Sequence, residues 1–455
     1  MKIRKLLLDN FRCFKKLELE FPHDLTVLVA ANGQGKTAIL EAVAYLLGIM
    51  LGRFPLVAVP KLKYTDFRNE WFADDQLIAP CVWKSVAQAP YMRLTGYDDQ
   101  GRKWDTTLKR DASVTTQKAI PSAFGGKEIL SLADHYIDLS NQKTPPAEFF
   151  PIFAYYNTER AVIRKKPERR RNFQKEFQRF EGYKEALDGQ LNYKKLIEWL
   201  FFLEDKQNRE KNQVRDWDHQ TLEQKTIQLA VEKMLPGFRN LRTHIQPLNL
   251  IIDVEENGSF KSCFIDSQLS DGYKIVLVLV LDLVSRILKL NADIPAATPE
   301  ILLQIPGIVL VDEIDLHLHP SWQQRIIGDL QRTFPNIQFI VTTHSPQVVS
   351  SVPKECVRII DNGAIVPFST PTQGVEIGDI LRGIFGTEPI LQNTEIAQKL
   401  NRLHSMLAEG LGNSGEWEAI YHELEEYYGS QYPPLLGAKA HRDFLNKMKS
   451  GGRNA

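Results

Sequence analysis

An apolar run from Leu25 to Ala30, broken only by Thr26, stops at a loop of small and polar residues. After Gly35, Lys36 and Thr37 a second apolar pattern begins, with Ile39, Leu40, Val43, Leu46 and Leu47. The order predicts a buried strand, a tight loop and an amphipathic helix. Backbone N–H groups in such a loop turn inward, and the helix aims its positive end at the same point, so the unit suits a phosphate. Asn32, Gly33, Gln34, Gly35, Lys36, Thr37 and Ala38 are therefore candidate nucleotide-binding residues. Lys36 is expected to reach the outer phosphates of ATP, and the Thr37 hydroxyl to take one position on Mg²⁺. Loops of this type carry glycine six residues before the lysine, where this chain has Ala30. Alanine is the least costly replacement wherever the backbone keeps φ negative.

The loop needs partners, and the second half of the chain offers three. In "GIVLVDEIDLHLHPSW" the run Ile308–Val311 reads as a central parallel strand ending in two carboxylates. Asp312 is the expected Mg²⁺ residue, and Glu313 the group that polarises the attacking water. In "IQFIVTTHSP" another strand delivers Thr342, Thr343 and His344 to its carboxyl end, the edge at which open α/β sheets bind ligands. There His344 is a candidate contact for the γ-phosphate or the attacking water. In "DSQLSDGYKIVLVLVLDLV" Ser270 and Gly272 lead into an apolar helix whose amino end can hold an anion.

The set "ANGQGKT", "LSDGYK", "VLVDEID" and "TTHSP", in that order, resembles the ABC-type ATPases of the SMC and RecF kind. Within them it is most similar to the ATPases of bacterial anti-phage systems of the Septu and retron-associated types. The opening "IRKLLLDNFRCFKKLELEF", with its Asn-Phe-Arg-x-Phe, also resembles that group, and Arg12 joins the candidate nucleotide contacts on this ground. The resemblance implies an α/β ABC-type P-loop domain with an N-terminal β-hairpin lobe, a helical insertion and a small helical C-terminal appendage. It implies ATP and Mg²⁺ as cofactors. It also implies an ATP-dependent dimer or higher oligomer, in which Ser270 and Gly272 of one subunit close over the nucleotide held by Lys36 and Thr37 of the other. Tyr273 departs from transporter usage, which has glutamine at this place. A transporter subunit is correspondingly disfavoured. The pair His317 and His319 is read as a subunit contact in preference to a metal site, since no third ligand is near.

The chain balances 56 basic against 56 acidic residues, so affinity for nucleic acid must come from a local patch. The run Arg164–Arg171 is the most basic stretch, and DNA is the expected partner there, bound through its phosphates without base preference. Arg160, just before it, is either a nucleotide-proximal or an ordinary surface residue. Cys13, Cys81, Cys263 and Cys356 form no C-x-x-C pair, and no segment reaches the roughly 18 uncharged apolar residues of a membrane span. A reduced, cytoplasmic chain without membrane contact is expected.

The domain reading runs 1–160 for the first part of the ATPase domain, 161–245 for a helical insertion, 246–370 for its second part and 371–455 for a helical appendage. The insertion lacks sustained heptads and is too short for a long coiled-coil arm. In the appendage, Ile396, Leu400, Leu403 and Leu407 share one helix face, and Trp417, Ile420, Leu424 and Tyr428 another. The chain carries no recognisable nuclease site of its own, neither a Toprim-like glutamate with Asp-x-Asp nor an HNH-like cluster. The expected role is the ATPase of a two-gene defence system, controlling a separately encoded HNH-type nuclease that docks on the C-terminal helices. The alternative is a RecF-like repair ATPase that binds DNA without a nuclease.

Overall fold

The computed structural model describes residues 1–68, 71–73, 83–85, 89–111, 113, 120–161, 178–191, 193–246, 249–387 and 394–451. Two compact units result, Met1–Ile380 and Leu381–Ala455. The basic run Arg164–Arg171 and the side chain of Arg160 lie outside the described residues.

In the first unit, strands β1 (Ile3–Phe11) and β2 (Phe14–Glu20) form the amino-terminal hairpin, followed by β3 (Leu25–Val29) and helix α1 (Lys36–Leu51). A short ribbon pairs β4 (Trp71–Ala73) with β5 (Trp83–Ser85), and a longer hairpin pairs β6 (Tyr91–Asp98) with β7 (Lys103–Lys109). Helix α2 (Lys127–Ser140) and β8 (Ile152–Tyr156) close this half. Then come α3 (Tyr193–Val214) and α4 (Leu222–Met234), followed by β9 (Phe238–His244), β10 (Asn249–Glu256) and β11 (Ser259–Phe264). Helix α5 (Asp271–Asn291), β12 (Gly307–Val311), α6 (Ile326–Thr333), β13 (Ile337–Thr343), β14 (Val357–Asp361) and β15 (Ala364–Val366) complete the unit.

The central sheet runs β15-β14-β3-β13-β12-β8, parallel except for the edge strand β15. Every residue of β3, β8, β12 and β13 is buried, as expected of a parallel sheet covered on both faces. All four end on one edge, so the loops after Val29, Tyr156, Val311 and Thr343 converge there. This is the ABC-type α/β arrangement the motifs imply.

A second, antiparallel sheet, β2-β1-β6-β7, lies against α1. Its alternating pattern gives β2 one buried face and one exposed face. Trp104 on β7 is fully buried and its Nε1–H donates to the Leu46 carbonyl of α1 at 3.0 Å. Gln338, a polar residue within buried β13, joins the two sheets. Its Oε1 accepts from Ile3 N at 2.8 Å, and its Nε2 donates to the carbonyls of Ile3 and Pro22 at 2.8 and 3.0 Å. A third sheet, β11-β10-β9, is absent from the sequence reading. The Asn257-Gly258 turn between β10 and β11, with φ of 51° and 76°, is the hairpin signal that would have announced it.

The described residues of the second unit include the helices α7 (Glu395–Ala408), α8 (Gly415–Tyr428) and α9 (Pro433–Gly451). Thr394 and Ser414 cap the first two by accepting from Ala397 N and Trp417 N. Fully buried Trp417 centres the core, packed with Leu400, Leu403, Met406, Leu424 and Leu435, and its indole N–H donates to the Leu403 carbonyl.

Candidate nucleotide site

The loop between β3 and α1 owes its shape to two glycines in the left-handed region, Gly33 at φ 79° and Gly35 at φ 94°. Gly35 has a second constraint. A Cβ there would lie 2.4 Å from Cys13 Sγ and 2.6 Å from the Phe14 ring, so the turn of the β1–β2 hairpin rests directly on the loop. Ala30 is not among the residues with positive φ, so the expected glycine is not needed there for backbone reasons. Lys36 is buried and donates from Nζ to the Ala30 carbonyl at 2.9 Å and the Ala31 carbonyl at 3.4 Å. Burial pushes its pKa down, and the facing charges of Asp312, Glu313 and Asp315 pull it back only in part. That is an ammonium placed to gain from an arriving anion.

Opposite the loop, β12 runs into Asp312, which follows the strand directly and is almost wholly buried. Asp312 N donates to the Tyr156 carbonyl at 2.8 Å, while its carboxylate accepts from Thr37 Oγ1 at 2.7 Å and Thr342 Oγ1 at 2.5 Å. Thr342 in turn accepts from Glu313 N at 2.7 Å, and its carbonyl accepts from Ile314 N at 2.9 Å. Glu313 takes a left-handed backbone, φ 48°, rare for a residue with a side chain. One threonine of β13 thus holds both the carboxylate and the strained turn. Next to it, Thr343 Oγ1 donates to Asp315 at 2.6 Å and accepts from Ser345 N at 2.9 Å.

A cleft of about 310 Å³ opens between these elements, lined by Arg12, Cys13, Asn32, Gly33, Gly35, Lys36, Thr37, Ala38, Asp312, Glu313 and His344. Residues from the first 38 positions and from 312–344 therefore meet at one place. Arg12, itself at φ 49°, is tied to Glu41 and to Asp66, with Nε to Asp66 at 3.0 Å. Burial opposes its charge, but those two carboxylates more than compensate. The Tyr155 hydroxyl, near Glu41 and Asp312, is buried with no hydrogen-bond partner among the described residues, and burial pushes its pKa upward.

Some expected residues sit elsewhere. The Gln34 side chain turns away from the cleft and accepts from Asn362 N at 3.0 Å, so only its backbone remains available to a phosphate. Ser270 and Gly272 do not line the cleft of their own subunit. They start α5, where a Cβ on Gly272 would stand 3.0 Å from the His317 carbonyl. His317 has φ 59°, and His319 caps the following turn through Ser321 N. Among the described residues no group of three or more metal-ligating side chains occurs. Cys13, which lines the cleft, was not singled out by the sequence reading, because no motif spacing marks it.

A family model described as an AAA domain matches residues 5–235. The chain belongs to the AAA-domain family. A second AAA-domain model matches residues 152–350, a span that includes Tyr156, Asp312 and Thr342. The chain is 27% identical to the Retron Vc95 probable ATPase of Vibrio cholerae serotype O1 biovar El Tor, covering 90% of this chain and 84% of that one. It is 28% identical to the Retron Ec83 probable ATPase of Escherichia coli, covering 85% and 76%. A shorter likeness, 29% over 36% of this chain and 25% of the other, links it to the Septu protein PtuA of Bacillus mycoides strain KBAB4. It is an ATPase of that AAA-domain family. Among the described residues no helix is long and apolar enough to cross a membrane.

Proposed function

We propose that the chain is the ATP-binding and hydrolysing subunit of an anti-phage complex, closing as a dimer around ATP and controlling a separately encoded HNH-type nuclease that cuts DNA. What carries the reading is a cleft uniting Lys36, Thr37, Asp312 and Glu313 in a chain similar to retron ATPases over most of its length. That extent favours it over a RecF-like repair ATPase.

Lys36 exchanges the Ala30 and Ala31 carbonyls for the outer phosphates. Thr37 and Asp312 present two oxygens 2.7 Å apart, the hard donors suited to Mg²⁺, a cation that keeps most of its water and takes phosphate oxygens. When bound, Mg²⁺ neutralises phosphate charge. Glu313, on the turn fixed by Thr342, orients the attacking water and accepts its proton. His344 contacts the γ-phosphate or that water, and Arg12 meets the nucleotide from the hairpin turn. Ser270 and Gly272 of the second subunit present the amino end of α5 to the same phosphates. In this reading 1–160 and 246–370 form the ATPase core, 161–245 the helical insertion and 371–455 the nuclease dock. Arg164–Arg171 is the contact with DNA, and the complex works in the cytoplasm.

The test is purification of the tagged chain from its native locus, with mass spectrometry and DNA-cleavage assays on what elutes. A stoichiometric nuclease, lost when 394–451 is deleted from an otherwise folded chain, is the expected result. Recovery of the chain alone, or with DNA only, sinks the nuclease reading. In the same preparation, Lys36→Ala should lose ATP binding. Glu313→Gln should keep ATP binding, elute as a dimer and hydrolyse at least about a hundredfold more slowly. Wild-type turnover by Glu313→Gln would remove its catalytic assignment.

A further inference from the structure

Two neighbouring tyrosines at the end of β8 go opposite ways, because successive side chains of a strand alternate between its faces. Tyr156 reaches α5, where its hydroxyl donates to Asp282 at 2.6 Å. Tyr155 therefore stands on the other face of the sheet, and the charges of Glu41, Asp312 and Arg12 act on its hydroxyl together with the Tyr45 hydroxyl. The residue is only 5% exposed, and among the described residues that hydroxyl is bonded to nothing. A phenol buried without a partner costs free energy, so one left unpaired beside the nucleotide cleft points to a partner that becomes available in another state.

Arg12 defines that state. It lines the cleft from the turn of the β1–β2 hairpin, yet its guanidinium is held by Glu41 and Asp66. A planar guanidinium matches phosphate oxygens bidentately, so bound ATP competes with the two carboxylates for it. They differ in what they keep when it leaves. Asp66 still accepts from Lys63 N at 2.9 Å and from the Tyr45 hydroxyl at 3.3 Å. Glu41, one turn before Tyr45 on α1, is bonded among the described residues to Arg12 alone. Losing that bond leaves a half-buried carboxylate facing the added charge of the phosphates.

We propose that Tyr155 is the replacement partner: when Arg12 turns to the phosphates of ATP, the Tyr155 hydroxyl donates to the Glu41 carboxylate. Each carboxylate that Arg12 leaves is then backed by one tyrosine, Asp66 by Tyr45 and Glu41 by Tyr155. Tyr155 is a positioning residue, acting through Glu41 to lower the cost of releasing Arg12. The inference rests on the reading of Arg12 as a nucleotide contact and is independent of the nuclease reading.

Full-length variants test it, each read twice: melting temperature without nucleotide, and dissociation constant for the non-hydrolysable ATP analogue AMP-PNP with Mg²⁺. Tyr155→Phe deletes a hydroxyl with no partner in the nucleotide-free chain, so its melting temperature there should match wild type within about 1 °C or exceed it. AMP-PNP should nevertheless bind about tenfold more weakly. In Arg12→Ala the exchange has already happened. Adding Tyr155→Phe to it should lower the nucleotide-free melting temperature by about 2–4 °C and leave AMP-PNP affinity where Arg12→Ala put it. Glu41→Ala, which removes the acceptor, serves where Arg12→Ala fails to fold; adding Tyr155→Phe to it should change neither reading. A Tyr155→Phe protein that binds AMP-PNP as tightly as wild type, or melts several degrees lower without it, overturns the exchange and leaves the role of Arg12 standing. So does a loss of affinity from Tyr155→Phe that persists undiminished in Arg12→Ala or Glu41→Ala. Unchanged AMP-PNP affinity in Arg12→Ala overturns the reading of Arg12 itself, and the exchange with it.

Discussion

Replacing Thr342 with valine keeps the shape of a fully buried side chain and deletes one hydroxyl that makes two bonds. It donates to the Asp312 carboxylate at 2.5 Å and accepts from Glu313 N at 2.7 Å. Losing a hydrogen bond to a charged partner costs about 1.5–3 kcal/mol, and an orphaned buried N–H about 1–3 kcal/mol. The two are coupled through one atom, so a combined loss of about 3 kcal/mol is a sensible working figure. If Met1–Ile380 unfolds as one unit, at about 2.1 cal/mol/K per residue, its unfolding entropy is roughly 0.8 kcal/mol/K. The melting temperature should then fall by about 4 °C. Catalysis should suffer more than stability, because the bond to Glu313 N helps to hold the backbone at φ 48° from which the Glu313 side chain is presented. Scanning calorimetry and phosphate release under saturating ATP measure the two effects, with Thr342→Ser as the control that keeps the hydroxyl. A Thr342→Val protein that melts within about 1 °C of wild type and hydrolyses ATP at the wild-type rate would refute the reasoning.

Gly35→Ala must place a methyl group where Cys13 Sγ and the Phe14 ring already are, in a left-handed backbone; nucleotide affinity should drop more than about tenfold, as read by fluorescent-ATP titration. Trp417→Ala empties the centre of the three-helix unit and should destabilise it by about 3–5 kcal/mol, seen as faster hydrogen exchange across α7 and α8. The pKa of Lys289, about 8 when folded against 10.5 ordinarily, has a signed consequence. Between those values the unfolded chain binds the extra proton, so this group makes stability rise with pH across the window. Denaturant midpoints of wild type and Lys289→Met should therefore converge as pH rises from 8 to 10, and a constant gap would contradict the burial.

The motif-bearing strands were legible because each is an apolar run ending in chemistry: Val29 before the loop, Val311 before Asp312, Val341 before Thr342. Their pairing was not legible. Nothing in the sequence says that β3 lies beside β13 and that β12 lies one strand farther out, since partner choice in a parallel sheet depends on crossovers and packing. Gln338 shows the same limit. It reads as a blemish in an apolar run, and only the edge of a second sheet gives its amide three partners. Gln34 belongs to a phosphate-loop pattern, yet its side chain serves the β14–β15 turn, because motif spacing constrains backbone more than side-chain direction. The loop's lysine and threonine, and the carboxylates of 312 and 313, which the fold brings to one cleft, stood out by pattern. The threonine that holds the Asp312 carboxylate and the Glu313 turn was visible only as part of a strand end.

The bond from Thr37 to Asp312 spans 275 positions of sequence. At roughly 5–20 residues per second, a ribosome needs about 14–55 s to pass from one to the other. Throughout that interval the nascent chain displays a finished phosphate loop and hairpin with no carboxylate edge beside it. β3 waits longer than that for β13, its neighbour on one side, and longer still for β14 on the other. The unpaired edges of β3 and the apolar face of α1 are therefore without their partners for most of synthesis, a period in which holding chaperones have more claim on the chain than ATP does.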